Sequence, residues 1–421
     1  MILDADTATN LRHDLQKLHT GGPLVVDLFA GPGGWDEGLR ATGYTGSIIG
    51  VEWDESACAT ASAAGHPRLR ADIAALDPTI FGDVEGLIAS PPCQAWSVAG
   101  DRKGELDRPE VFARITAHAR NRKPRHVDWH DERSSLTAEP MRWITALRPR
   151  WVALEQVPPV LPLWEHTATL LREIGYKAWT GVLSAECYGV PQTRKRAILI
   201  ARRDGLQVGP PAPTHQPYRA GQTPATGPDL FGDPLPPPVS MAEALGWGPQ
   251  ERPAWTVTTG GADTSGAGVF GNAKCHQQLR DVVYRSNYND SAGTRTTRHP
   301  DEPSTTITSK VGHWVMRKDA QERAAERGVD EPAGTIYCSR PGNLTWSLRN
   351  SNREAATTRA GGESVRVSVR EAGVLQGFPP DYPWQGTKSA QYRQVGDAVP
   401  PPLAAAILRP LVVSTVRRAA A

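Results

Sequence analysis

Long apolar runs are missing from this sequence. No stretch approaches the roughly 20 consecutive apolar residues of a membrane-spanning helix, so a membrane protein is not expected. The first residues, MILDADTATNLRHDLQKLH, carry acids early and lack the apolar centre of a secretory signal. Cysteine is scarce. Five residues, at positions 58, 93, 187, 275 and 338, are too few and too scattered for a disulfide framework or a paired-cysteine metal site. No metal is expected, and a reducing, intracellular compartment fits. A dominant charge sign is also lacking: 47 Lys and Arg stand against 45 Asp and Glu, a net of +2. Any nucleic-acid role must then rest on local basic patches. What is present is length. At roughly 100–200 residues per domain, 421 residues allow two or three domains with a real core.

The first 200 residues alternate short apolar runs, turn signals and helical stretches. PLVVDLF (23–29) reads as a buried strand, followed by AGPGG and a helix from about 34 to 42. GSIIGVEW (46–53), LRADI (69–73), GLIAS (86–90) and WVALE (151–155) read as further strands, with a helix over 54–64. YKAWTGVLSA (176–185) and RAILIARR (196–203) read as a hairpin around the Gly189–Pro191 turn. Strands alternating with helices predict an α/β fold with a parallel, doubly wound sheet. Residues 209–238 hold ten prolines and read as a linker or wrapped surface loop, with a short helix at about 240–247. From 250 to 360 the composition shifts to Thr, Arg, Gly, Asn and Ser, with 15 Lys and Arg against 12 Asp and Glu. A weak repeat, Pro-x-x-Thr before Val or Ile, occurs at 253–257, 303–307 and 332–336, and its uneven spacing excludes a regular solenoid. Repeated β-turn-β pieces are the plain reading; turns that present Thr and Arg to DNA are the sharper one. Helix-like and strand-like sequence returns at 369–379 and 398–416.

Residues with chemistry gather where strands end. Asp27-Leu28-Phe29-Ala30-Gly31-Pro32-Gly33-Gly34 sits where the first strand turns into a helix, and glycines there let a ligand approach the backbone and the helix N-terminus. Glu52 ends the second strand, 21 residues after Gly31, where a carboxylate can accept ribose hydroxyls. Asp72 ends the third, placed to accept from an adenine amine, and Trp53 can pack on the same ring. So far this reads only as a nucleoside-containing cofactor, and a nicotinamide enzyme is a fair rival. The fourth strand runs into Ser90-Pro91-Pro92-Cys93-Gln94, which puts Cys93 just past a carboxyl end, where such sheets hold ligands. A lone cysteine is usually a small core residue, but one braced by two prolines on a crest is a poor one. Glu155 closes the neighbouring strand and pairs with Cys93 as a candidate acid.

These residues resemble the DNA (cytosine-5) methyltransferases. Asp27–Gly34 resembles the family's DLFxGxGG motif, and Pro91-Pro92-Cys93-Gln94 its PPCQ nucleophile loop. Glu155-Gln156-Val157 stands where the family has Glu-Asn-Val, and Gln192–Arg196 matches Gln-x-Arg-x-Arg. Arg370-Glu371-Ala372 with Leu375–Pro379 resembles the block before the closing motif, and Gly396-Asp397-Ala398-Val399-Pro400 stands where that motif reads Gly-Asn-x-Val-Pro. Order and spacing hold through 23–203 and 365–411; the interval between is where the family keeps its variable target recognition domain. The resemblance implies a Rossmann-like S-adenosylmethionine-dependent methyltransferase domain over 1–208 and 362–421. It further implies a proline-rich linker and short helix at 209–248, and a smaller, mostly β or irregular target recognition domain at 249–361.

By the same resemblance, S-adenosylmethionine lies against Phe29, Ala30, Gly31, Gly33 and Gly34, against Glu52, Trp53, Asp72 and Ile73, and against Pro92, Asp397 and Ala398. Cys93 is the implied nucleophile. Cytosine C5 is a weak carbon nucleophile, and a thiolate added at C6 makes the ring enamine-like. Cysteine suits the task because its thiolate is accessible near neutral pH with modest electrostatic help. Glu155 is the implied partner of the base N3, and Arg194 and Arg196 of the base O2 and a nearby phosphate or carboxylate, with Arg196 on the base. Gln94, Ser97, Gln156 and Gln192 are the implied substrate contacts, and the target base must flip out of the duplex. Double-stranded DNA is the implied partner, with a cognate restriction endonuclease as an option, a monomer as the expected state, and a prokaryotic or phage-encoded, nucleoid-associated cytoplasmic setting. Two departures stand out: Gln156 replaces an Asn whose amide braces the nucleophile loop, and Asp397 replaces an Asn near the cofactor.

Weaker signals have plain readings. His126 and His130 stand four apart and read as a solvated helix face; Cys187 and Cys58 read as core. The stretch 99–133 holds nine Lys and Arg against seven Asp and Glu and reads as a swinging lid that opens with Gly100 and Gly104, or as a solvated face. The rival functions are an RNA methyltransferase of the same family and a non-catalytic DNA-binding relative. The first lacks a large recognition insert, and the second has no use for intact Cys93 and Glu155.

Overall fold

The computed structural model describes residues 1–6, 10–96, 103–219, 234–246 and 368–419, with four further strands at 282–289, 295–298, 304–305 and 315–318. The strands of the main body are β1 (Ile2–Asp4), β2 (Leu24–Leu28), β3 (Ser47–Glu52), β4 (Arg68–Arg70), β5 (Gly86–Ala89), β6 (Trp151–Gln156), β7 (Lys177–Ser184), β8 (Gln192–Thr193) and β9 (Lys195–Arg202). The helices are α1 (Leu11–Leu18), α2 (Gly34–Ala41), α3 (Glu55–Ala63), α4 (Gly104–Ala119), α5 (Glu139–Leu147), α6 (Leu161–Glu173), α7 (Met241–Ala244), α8 (Val369–Leu375), α9 (Lys388–Asp397) and α10 (Pro401–Ala419).

Eight strands form one sheet in the order β1-β4-β3-β2-β5-β6-β9-β7. All neighbours are parallel except those of β9, which runs against both β6 and β7. The hairpin read from 176–203 is therefore present, and it adds the antiparallel edge to an otherwise parallel, doubly wound sheet. β1 and its pairing with β4 were not read from the sequence: a three-residue strand carries too little pattern. Strands such as Leu24–Leu28, apolar but for Asp27, are buried throughout because helices cover both faces of the sheet. Val26 and Leu28 join one core layer with α4, α5 and α6, whereas Val25 joins the other with α2 and α10.

Register lines up the carboxyl ends. Leu28 pairs with Val51 and with Ala89, and Ala89 pairs with Leu154. The residues that follow, Phe29, Glu52, Ser90 and Glu155, therefore share one edge. From β2 the chain winds first through β3 and β4, then crosses back to β5 and β6, so the order reverses between β2 and β5. Ligands of open α/β sheets bind at such a switch point. Beyond the main body, β10 (Val282–Asn289) pairs antiparallel with β11 (Arg295–Arg298) and β13 (Val315–Lys318). β12 (Ser304–Thr305), inside the second copy of the weak repeat, pairs with β8. The other two copies lie outside the described residues.

The stretch 99–133 corrects the lid expectation in part. Residues 104–119 form a packed helix, with Val111 and Ile115 buried. Gly104 makes a close approach rather than a hinge: a Cβ there would stand 2.8 Å from the Ala95 carbonyl. Residues 97–102 lie outside the described residues. His126 and His130 are not on a helix; His130 accompanies the chain as its backbone and ring bind Asp107, at 2.9 and 2.8 Å.

Candidate active site

The glycine turn after β2 is a sequence of unusual backbone conformations. Phe29, Gly31 and Gly33 take φ of 59°, 55° and 113°. For Phe29, left-handed backbone is a strain on the order of 1–3 kcal/mol that its surroundings must hold. They do so from several sides. Glu52 Oε2 accepts the Gly31 amide at 2.8 Å, and Glu52 Oε1 accepts the Trp53 and Asp54 amides at 2.7 Å each. Tyr382, from the segment after α8, donates its hydroxyl to the Pro32 carbonyl at 2.5 Å. Gly33 is needed because a Cβ there would meet the Tyr382 hydroxyl at 2.7 Å and the His66 ring at 2.8 Å.

The loop after β5 is anchored from β6. Gln156 Nε2 donates to the Pro91 carbonyl at 2.7 Å, and its Oε1 accepts the Val157 amide at 2.5 Å. The longer side chain thus reaches the loop in the bracing role that the resemblance assigns to Asn. The Cys93 carbonyl accepts the Trp96 amide at 3.0 Å, closing a turn that leaves Cys93 half-buried against the core. On β9, Arg196 stands one diagonal step from Glu155, whose register partner is Ile198. Its Nε lies 2.7 Å from Glu155 Oε1, and both side chains are buried.

These pieces converge on one cavity of about 510 Å³. Cys93, Glu155, Gln156, Arg196, Pro92 and Gln94 line one part of it; Phe29, Ala30, Gly31, Gly34, Glu52, Trp53, Asp72 and Ile73 line the other. Asp397 and Ala398 close it from the junction of α9 and α10. Trp53 is 71% exposed at the rim, while Trp96, Trp143, Trp151 and Trp164 are core. Burial, then the Asp397 carboxylate, pushes the Cys93 thiol up to about 12, with Glu155 adding to it and Arg196 opposing. This field opposes thiolate formation in the free protein, against the expectation of a thiolate accessible near neutral pH.

Three expected site residues are placed elsewhere. Arg194 is buried and donates to the Gly396 carbonyl at 3.1 Å and the Ala398 carbonyl at 3.0 Å, so it fastens the closing segment to the junction of β8 and β9 rather than facing the cavity. Burial and the neighbouring Arg196 charge pull its pKa well below the usual value. Gln192 donates to the Gln376 side chain at 2.6 Å and the Leu375 carbonyl at 3.2 Å, and does not line the cavity. Gly33 supports the turn from behind. Ser97 lies outside the described residues.

The family of C-5 cytosine-specific DNA methylases matches residues 24–127 and 125–412. The chain belongs to that family. It is a DNA cytosine-5 methyltransferase, as the motifs implied. The type II methyltransferase M.DdeI of Desulfomicrobium norvegicum is 25% identical over 429 residues, covering 91% of this chain and 87% of its own. M.AgeI of Thalassovita gelatinovora is 24% identical over 452 residues, covering 93% and 99%. In fold the chain is similar to the S. pombe Dnmt2 methyltransferase, with a TM-score of 0.51 at 14% identity, over 94% of this chain and 99% of that one. The methylase cavity also recruits residues that no motif pointed to. Arg133 and Leu136 reach it from the turns before α5, and Arg393 and Gln394 from α9. The one available signal was the position of Arg393 and Gln394, one helical turn ahead of Asp397.

Proposed function

We propose that this methylase transfers a methyl group from S-adenosylmethionine to C5 of a cytosine flipped out of duplex DNA, through a covalent Cys93 adduct at C6. The observation that carries this reading is the sharing of one cavity by Cys93, Glu155 and Arg196 with the glycine turn, Glu52 and Asp72. The residues fit the cofactor. Glu52 keeps carboxylate oxygens at the end of β3, Trp53 offers an exposed ring face at the rim, and Gly31 leaves the backbone open to close approach. When bound there, S-adenosylmethionine supplies the electrophilic methyl.

The rest is the work of the chain. Cys93 adds through sulfur to C6 as its proton leaves, and the C5–C6 electron pair becomes available at C5. Glu155 presents a proton or a strong hydrogen bond to N3, where negative charge develops, and Arg196 faces O2 while holding Glu155 in place. Once C5 carries the methyl group, loss of the C5 proton returns the electron pair to the ring and expels the Cys93 thiolate. A stacked base cannot reach a cavity of this kind, which is why flipping is part of the proposal. Residues 249–361 serve as the target recognition domain on this reading, 209–248 as the linker, and 1–208 with 362–421 as the catalytic domain. Double-stranded DNA is the partner, a cognate restriction endonuclease fits the company of type II relatives, and a monomer suffices for the chemistry. Bisulfite sequencing of DNA from cells expressing the protein tests the whole reading. Methylated cytosines in one sequence context are expected; methylation confined to RNA, or none, would reject it.

A further inference from the structure

Beneath the glycine turn lies a buried charge cluster that the chemistry above does not use. Arg68, the first residue of β4, is fully buried and forks onto Asp36 of α2, with Nη1 to Oδ1 at 3.0 Å and Nη2 to Oδ2 at 2.8 Å. The same guanidinium donates to the Gly31 carbonyl, from Nε at 3.4 Å and Nη2 at 3.3 Å. The Gly31 amide is meanwhile held by Glu52. One residue of the turn is thus gripped at both its polar groups, by side chains from two neighbouring strands. Gly50 makes the grip possible: it pairs with Arg68 across β3 and β4, and a Cβ there would stand 2.5 Å from Arg68 Nη1. Burial opposes the charge on Asp36, but Arg68 and then His66 hold its carboxyl below the usual range. Asp27 on β2 is buried, its carboxylate without a hydrogen-bond partner among the described residues, and burial followed by the Asp36 charge raises its carboxyl well above that range.

Phe29 holds a strained left-handed backbone and the two glycines leave the turn free to adopt other shapes, so what grips the turn decides its form. We infer that Arg68, aimed by Asp36, is a positioning residue for the cofactor: its hold on the Gly31 carbonyl keeps the turn in the form that lines the cavity. This rests on the reading of that cavity as the S-adenosylmethionine site. Lysine cannot replace it, because an ammonium lacks the planar fork that spans Asp36 and Gly31 together.

The test is calorimetric binding of S-adenosylhomocysteine to the full chain, beside melting curves and steady-state kinetics. Arg68→Met alone strands the buried Asp36 charge, so Arg68→Met with Asp36→Leu is the informative variant, an apolar exchange that buried ion pairs tolerate. It is expected to melt cooperatively within a few degrees of the unaltered protein. Its Kd for S-adenosylhomocysteine and its KM for S-adenosylmethionine should each rise about tenfold, with kcat changing less than about twofold, as expected when binding alone is lost. An unchanged Kd in the folded pair, or a fall in kcat without a change in Kd, would overturn the assignment. If the pair does not fold, Arg68→Lys decides: a weaker Kd supports the assignment and an unaltered one overturns it. Absence of binding by the unaltered protein would overturn the cofactor reading itself, and this assignment with it.

Discussion

Gln156 links the nucleophile loop to the sheet, and replacing it tests that link quantitatively. The side chain is 1% exposed and makes two bonds, 2.7 Å to the Pro91 carbonyl and 2.5 Å from the Val157 amide. Gln156→Ala leaves both backbone groups buried without a partner. Each orphan costs about 1–3 kcal/mol, so a loss of about 2–6 kcal/mol is expected in urea denaturation. Catalysis should suffer beyond stability, because Pro91 stands two residues before Cys93. A displacement of the nucleophile by about 1 Å slows a positioned reaction on the order of a hundredfold. The single-turnover rate of methyl incorporation into unmethylated genomic DNA, measured well below the melting temperature, reads this directly. Gln156→Asn keeps an amide one methylene shorter and should be tolerated, while Gln156→Ala should be slow. Equal rates for all three proteins would refute the role of the side chain in bracing the loop.

Two predictions follow from titratable groups. Because burial, Asp397 and Glu155 raise the Cys93 thiol to about 12, its alkylation by iodoacetamide in the cofactor-free protein should climb about tenfold per pH unit from pH 7 to 9. Asp397→Asn should make it faster at every pH; a plateau below pH 8 would contradict the field described. His118 on α4 is buried, and burial, then Arg114 and Arg142, lower its pKa to about 4. The unfolded chain takes up this proton near the ordinary value of 6.5, so the stability is intact above that pH and falls as pH drops towards 4, by roughly 3 kcal/mol. His118→Gln should lose less stability than the unaltered protein between pH 7 and 4.5; equal losses would show that another group carries the acid response.

The parts of the site that were legible in the sequence are those that sit at strand ends. Asp27–Gly34, Glu52, Cys93 and Glu155 each follow an apolar run, so the pattern that marks the strand also marks the edge where a ligand sits. Gln156 was legible as a brace because it adjoins Glu155. What was not legible depends on where long side chains turn. Arg194 and Arg196 stand two apart, a spacing that on one strand would put both on a single face, yet Arg194 falls between β8 and β9 and reaches the carbonyls of Gly396 and Ala398, while Arg196 on β9 reaches Glu155. Arg68 and Asp36 lie 32 residues apart with no motif to join them, and only the fold brings their side chains together. Tyr382 closes on Pro32 across 350 residues, a contact that no local pattern encodes. The cysteine's residue type was readable, but its field was not, because Asp397 comes from the far end of the chain.

The central claim is that Cys93 forms a covalent bond to the target base. It is tested most directly with duplex DNA in which every cytosine is 5-fluorocytosine, incubated with the protein and S-adenosylmethionine. Fluorine at C5 blocks the final elimination, so a denaturant-resistant complex is predicted, with the DNA attached to the peptide that contains Cys93 and no complex from Cys93→Ala. Absence of the complex, or attachment at Cys58, Cys187, Cys275 or Cys338, would contradict the mechanism.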